Sequence, residues 1–304
     1  MDLRNSRAVL AVAFLIASIC ASTAFADAWT QREGDYLIKL SFSRIDTRTE
    51  FDVNGRRAAL FSEYSGVQDG EFSTTDLTFY GEYGFTDAFT VLVMGQFRQA
   101  TASHVDSFLV TRPNSGLGDV YIAGRVRIPE LPFASSIQVG AKIPAADTGS
   151  VTTVALGSGS MDFDALLNVG TEQDVGRTTL RVQGDWGFRF RGGNYDDAIL
   201  YGADLSAIFP GGKLSAHGGV NGSITQGKIF IPDPTSAISP GFALTGNQTS
   251  MQAFIGAAFH SSKRLQFFFD WTTVLDGRST LGGNLIALGV AFTPGQPTPL
   301  APKP

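Results

Sequence analysis

Between Arg177 and Arg191 the sequence RTTLRVQGDWGFRFR puts Arg181, Asp185, Arg189 and Arg191 on alternate positions, with Gln183 and Gly187 completing the set. Charges of both signs at that spacing can pair with one another, hold a charged solute, or set an ion preference. The interleaved set is Leu180, Val182, Gly184, Trp186, Phe188 and Phe190. A period of two belongs to a β-strand with two unlike faces. One face has the composition of a core and the other is densely charged.

Other residue types invite chemical readings. The histidines are His104, His217 and His260. Hydrolysis would need a Ser–His pair, and Ser215 and His217 share a strand face two positions apart. The competing reading is a histidine that fills the charged face through hydrogen bonds. No catalytic residue, metal ligand set or cofactor site is expected. The glycine-rich GLGD (116–119) and LGSGS (156–160) resemble phosphate loops, but neither leads into a helix nor carries the required lysine. Gly116 and Gly118 are expected instead to turn the chain into a strand, with Asp119 facing inward at its rim.

These charges need elements to position them, and the same alternation recurs along the chain. It marks twelve strands, at about 36–47, 76–83, 89–98, 119–128, 137–143, 162–169, 180–191, 199–209, 213–224, 251–260, 264–275 and 286–292. The links between them alternate in length. GFTDA, PELP, GTEQDVGR, PGG and HSSK are short, whereas about 52–72, 100–117, 144–161 and 226–248 are long. Even strand number, short turns on one rim and long loops on the other predict an all-β fold, a transmembrane antiparallel β-barrel. Tyr36, Tyr83, Phe89, Phe209, Phe259 and Phe292 fall on the apolar face at the short-turn ends, where aromatic rings suit a lipid–water boundary. A secreted β-sandwich also alternates, but does not require this loop asymmetry.

The chain start agrees. Arg4 and Arg7 precede an apolar run from Ala8 to Cys20, and Ala24-Phe25-Ala26 follows, so residues 1–26 read as a signal peptide cut near Ala26. The run is shorter than the roughly 20 residues that span a bilayer. Cys20 is the sole cysteine, and a lipoprotein reading meets Ile19 where a small residue is needed. Residues 27–292 are then the barrel, and 293–304 a Pro-rich periplasmic tail. The net charge of −5 argues against a nucleic-acid partner.

FDVNGRR (51–57), EYGFTDAF (82–89), GLGDVYIAGRVRI (116–128), GAKIPA (140–145) and LGSGSMDF (156–163), in this order, resemble the outer-membrane barrel family of the meta-pathway of phenol degradation, a transporter family. KIPAAD departs from the family's pattern after the proline, and the tail departs as well. The resemblance implies passage of aromatic or other hydrophobic small molecules across the outer membrane of a Gram-negative bacterium, and supplies no solute-contacting residues.

By parity the lumen receives Lys39, Asp76, Glu82, Arg98, Asp119, Arg125, Arg127, Lys142, Asp162, Asp164, Arg181, Asp185, Arg189, Arg191, Asp204 and Asp270. Two readings stand for this set: a selectivity zone, or a ladder of ion pairs that fills a narrow barrel and fixes register. The loop PDPTSAISPGFALTGN (232–247) carries apolar Ile238, Phe242 and Leu244, and is either a gate folded into the mouth or a surface loop. No plug domain is expected ahead of the first strand. The functional expectation is a passive channel for small hydrophobic or aromatic solutes; the alternative is a non-transporting surface barrel. Partners are outer-membrane lipid, the solute and, during biogenesis, periplasmic chaperones and the barrel-assembly machinery.

Overall fold

The computed structural model describes residues 27–60, 70–103, 113–146, 154–193, 195–227 and 247–294. Every regular element among them is a β-strand. Twelve long strands close a barrel: β1 (Tyr36–Phe51), β3 (Glu71–Thr86), β4 (Phe89–Ser103), β6 (Val120–Arg127), β7 (Ala134–Ile143), β8 (Asp162–Val175), β9 (Thr178–Arg191), β10 (Ala198–Ile208), β11 (Leu214–Thr225), β12 (Thr249–His260), β13 (Leu265–Arg278) and β14 (Thr280–Phe292). Each pairs antiparallel with its neighbours, and β14 pairs with β1. Closure leaves no free wall edge, so backbone groups are satisfied even against hydrocarbon. Two short pieces, β2 (Arg57–Ala59) and β5 (Asn114–Leu117), extend β1 and β4 at the extracellular end.

The outer wall is an apolar belt. Leu77, Phe97, Val139, Leu205, Ile255, Phe269 and Leu288 are all exposed. Tyr36, Tyr83, Phe89, Phe209, Phe259 and Phe292 are exposed as well, at the short-turn rim. Exposure of this much apolar surface is favourable only against lipid.

Several strands run past the expected limits. The segment GTEQDVGR is mostly strand, since β8 reaches Val175 and β9 starts at Thr178, leaving a turn at Gly176 in the left-handed region (φ 66). At the opposite end β1 runs on from the expected 47 to Phe51, and near this end outward Arg44 and Arg48 form surface pairs with Asp46 and Glu71. Both extensions stand in water beyond the lipid, where nothing requires an apolar face. The alternation that marks a strand fades there, although pairing continues.

Candidate functional site: the lumen

Inward positions on β3–β9 carry a stack of charge pairs, most of them between residues directly opposite in the ladder. Arg98 grips Asp76 through two bonds of 2.8 Å, and Arg189 grips Asp164 in the same way. Such two-pronged pairs are the strong form of the interaction. Lys142 lies 2.7 Å from Asp162 and 3.5 Å from Asp119, and Arg191 approaches Asp162 at 3.7 Å. Arg181 binds Glu172 at 2.8 Å, a partner hidden within the segment read as a turn. Arg125 is fully buried, 3.3 Å from Glu82, with Gln138 Oε1 also accepting from it at 3.1 Å. The Tyr80 hydroxyl donates to Glu82 as well.

On the β10–β14 side the charges are fewer. Asp270 meets His217 at 2.9 Å, Asp185 lies over Gly202, and Asp204 accepts no hydrogen bond among the described residues. Lys39 sits 5.7 Å from the Tyr80 ring, and Arg127 lines the periplasmic vestibule. Ser215 contacts His260 at 3.1 Å rather than His217. These are two separate pairs, with no Ser–His–Asp arrangement among the described residues. His104, Ile238, Phe242, Leu244, residues 1–26 and residues 295–304 lie outside the described residues.

Two chain segments enter the lumen. The first precedes β1. The Gln31 amide donates to Thr90 Oγ1 and its side chain to Glu82, Arg125 donates to the Trp29 carbonyl at 3.0 Å, and Ser136 donates to the Asp27 carbonyl at 3.1 Å. The Arg181 guanidinium stacks 4.5 Å from the Trp29 ring. Residues 27–32 thus form a floor under the β3–β9 half. A Cβ added at Gly84 would stand 2.0 Å from the Arg32 carbonyl oxygen, a backbone atom that cannot yield. Gly84→Val is therefore expected to unseat the floor and raise single-channel conductance while the barrel stays folded. Unchanged conductance would show that the floor does not obstruct the lumen.

The second segment is the link between β7 and β8. Val154, Ala155 and Leu156 are almost wholly buried, and Val154 and Leu156 pack with Leu60, Phe72, Ala100 and Ala102 in an apolar plug at the extracellular end. Ser158 then hydrogen-bonds Asp119 through its amide, and the Lys142 ammonium donates to the Ser158 hydroxyl. The stretches GLGD, GAKIPA and LGSGS meet here. Gly157 gives Asp119 room, since a Cβ there would stand 2.5 Å from its Oδ1. The Gly-rich pieces thus fold a loop inward and hold no phosphate-loop geometry.

Parity alone could have revealed further inward residues that the charge pattern overshadowed. Leu92 and Met94 sit on the charged face of β4 and pack with Tyr80, Tyr121, Ala123 and Leu37; Leu166 and Leu200 form a second apolar contact.

The remaining half of the lumen, bounded by β10–β14 and β1, is smooth. The Phe254 and Phe268 rings lie against Gly219 and Gly289, where an added Cβ would come within 2.8 Å and 2.3 Å of ring carbons. Ala258, Ala287 and Ala291 complete that wall. A cavity of about 930 Å³ opens across the periplasmic mouth of both halves, reached by Trp29, Lys39, Arg127, Arg181, Ile208 and Leu265.

A closed twelve-stranded barrel with an apolar outer belt, short turns on one rim, long loops on the other and a charge-lined lumen defines the outer-membrane β-barrel class. Among solved structures, the chain is similar to the COG4313 outer membrane channel from Pseudomonas putida F1, with a TM-score of 0.61 and 13% identity over 90% of this chain and 100% of that one. Weaker likenesses are LpxR from Salmonella typhimurium (TM-score 0.46, 9% identity, 84% of this chain and 99% of that one) and the NanC porin (0.44, 7%, 83% and 98%). At these identities the likeness is one of fold. No family model matches the chain, and no curated protein does either.

Proposed function

We propose that the chain is a passive outer-membrane channel for small solutes with an apolar or aromatic body. It is exported by removal of residues 1–26 and performs no catalysis. One observation carries the reading: the lumen is divided. Ion pairs, the floor and the inward loop fill the β3–β9 half, while the other half presents aromatic rings set against glycines, and a cavity of about 930 Å³ opens at the periplasmic mouth that both halves share. An apolar ring slides over such a wall at little cost, whereas an ion would have to shed part of its own hydration shell with no polar group to replace it. The charge pairs then act mainly as wall and register, and the solute passes beside them.

The test is uptake of a fluorescent naphthylamine dye by bacteria whose own outer membrane excludes it. Cells carrying the chain should take the dye up faster than empty cells, and Gly289→Leu, whose Cβ would meet the Phe268 ring and the Leu40 carbonyl oxygen, should cancel the gain in a barrel verified as folded by heat-modified gel mobility. Equal uptake in both would remove the channel reading. The density of ion pairs favours a non-transporting barrel as the second reading, and in that case the purified protein should also be silent in a planar bilayer.

A further inference from the structure

Asp27 lies inside the barrel, and the groups around it are incompletely matched. The Asp27 carbonyl accepts from Ser136 Oγ at 3.1 Å, and Ser136 Oγ accepts from Asn168 Nδ2 at 3.1 Å. Asn168 is 1% exposed, and its Oδ1 has no hydrogen-bond partner among the described residues. A buried amide oxygen without a donor is a costly arrangement. The Asp27 carboxylate turns back to accept from the Trp29 amide at 3.2 Å. It lies within electrostatic reach of both Arg125 and the Asp204 carboxylate. Asp204 accepts no hydrogen bond among the described residues; the titratable groups within electrostatic reach of it are His217, Asp27, Arg181 and Lys39. The surroundings of Asp27 therefore hold one orphan acceptor and two carboxylates of like charge.

Removal of residues 1–26 would create the missing donor. The freed backbone nitrogen of Asp27 becomes an ammonium with three protons and a positive charge, in place of a neutral amide with one proton. We propose that Ser136 and Asn168 form a socket for the α-ammonium of the processed chain, with Asp204 a more distant negative charge that favours it, so that signal-peptide cleavage completes the lumen floor. This rests on the cleavage reading and is independent of the channel reading.

The fit around the socket is close. A Cβ added at Gly170 would stand 2.7 Å from Trp29 Cη2 and 2.9 Å from Ala28 Cβ, so the wall leaves little room beside these residues.

The test uses the full-length gene product, exported and purified from the host outer membrane. Mass spectrometry should first find the chain beginning at Asp27. An amine-selective reagent at neutral pH should then label the α-amine at least roughly tenfold more slowly in the folded barrel than in the urea-unfolded chain. Asn168→Leu, verified as folded by heat-modified gel mobility, should restore fast labelling, and Asp204→Asn, verified in the same way, should do so in part. Insertion of Gly-Ser after Ala26, which moves the ammonium two residues away, should do the same and expose Trp29 to acrylamide quenching. A different first residue, or an α-amine labelled at the unfolded rate, would overturn the proposal. So would retained protection in the inserted chain.

Discussion

Arg125→Met is expected to be among the most damaging single substitutions in the barrel. The guanidinium is fully buried and serves Glu82, Gln138 and the Trp29 carbonyl together. Methionine replaces its bulk but leaves Glu82, itself 4% exposed, as a buried carboxylate without its cation. Removing one partner of such a pair costs about 3–5 kcal/mol, more than the intact pair contributes, because the remaining charge still lacks water. The urea midpoint of the protein refolded in lipid vesicles should fall by the corresponding amount. Glu82→Gln combined with Arg125→Met should recover much of the loss, since the neutral amide can still accept from Tyr80. A double variant as unstable as the sum of the singles would place the cost in packing and remove the electrostatic account.

The second large effect concerns the inward loop. Lys142 joins Asp119, Asp162 and Ser158 and so ties the loop to the walls formed by β6, β7 and β8. Lys142→Met leaves two neighbouring carboxylates opposed mainly by Arg191 and takes away the donor to Ser158. The loop is then expected to leave the lumen, and single-channel conductance should rise by roughly several-fold as the constriction widens. Asp119→Asn added to Lys142→Met restores the charge balance while keeping an acceptor for the Ser158 amide, and should reclose the lumen in part. Conductance unaffected by Lys142→Met would mean that burial of Val154, Ala155 and Leu156 against Leu60 and Phe72 holds the loop without the polar cluster.

The two predictions address different parts of the polar interior. The Glu82–Arg125 group joins the floor to the wall at the periplasmic end, and the Lys142 cluster joins the loop to the wall at the extracellular end. Between them, Asp76–Arg98 and Asp164–Arg189 bridge adjacent strands only. They should contribute to register while leaving permeation unaltered.

The barrel itself was legible from sequence. Alternation is a property of each strand alone: a residue such as Phe163 must face lipid and its neighbour Asp164 must not, whatever lies across the lumen. Twelve repetitions with alternating link lengths therefore specify strand number, orientation and facing. Parity also assigns Asp76, Arg98, Asp164 and Arg189 to one side of the wall, but pairing depends on register, and register emerges only when neighbouring strands are aligned. Ser215 illustrates this, since its contact is His260 on the next strand and not His217 two positions away.

What the tertiary structure alone decided is how the interior is occupied. Residues 27–32 carry no periodic pattern, and their place in the lumen follows from bonds to β3, β4, β6 and β7, which are distant in sequence. Likewise Val154–Leu156 is a short apolar run that would suit a strand, and its burial depends on Leu60, Phe72, Ala100 and Ala102 meeting at one level of the closed barrel. Lipid outside is a uniform solvent and leaves its signature along every strand. The lumen is filled by contacts between distant segments, so its contents become determinate only after closure brings them within reach.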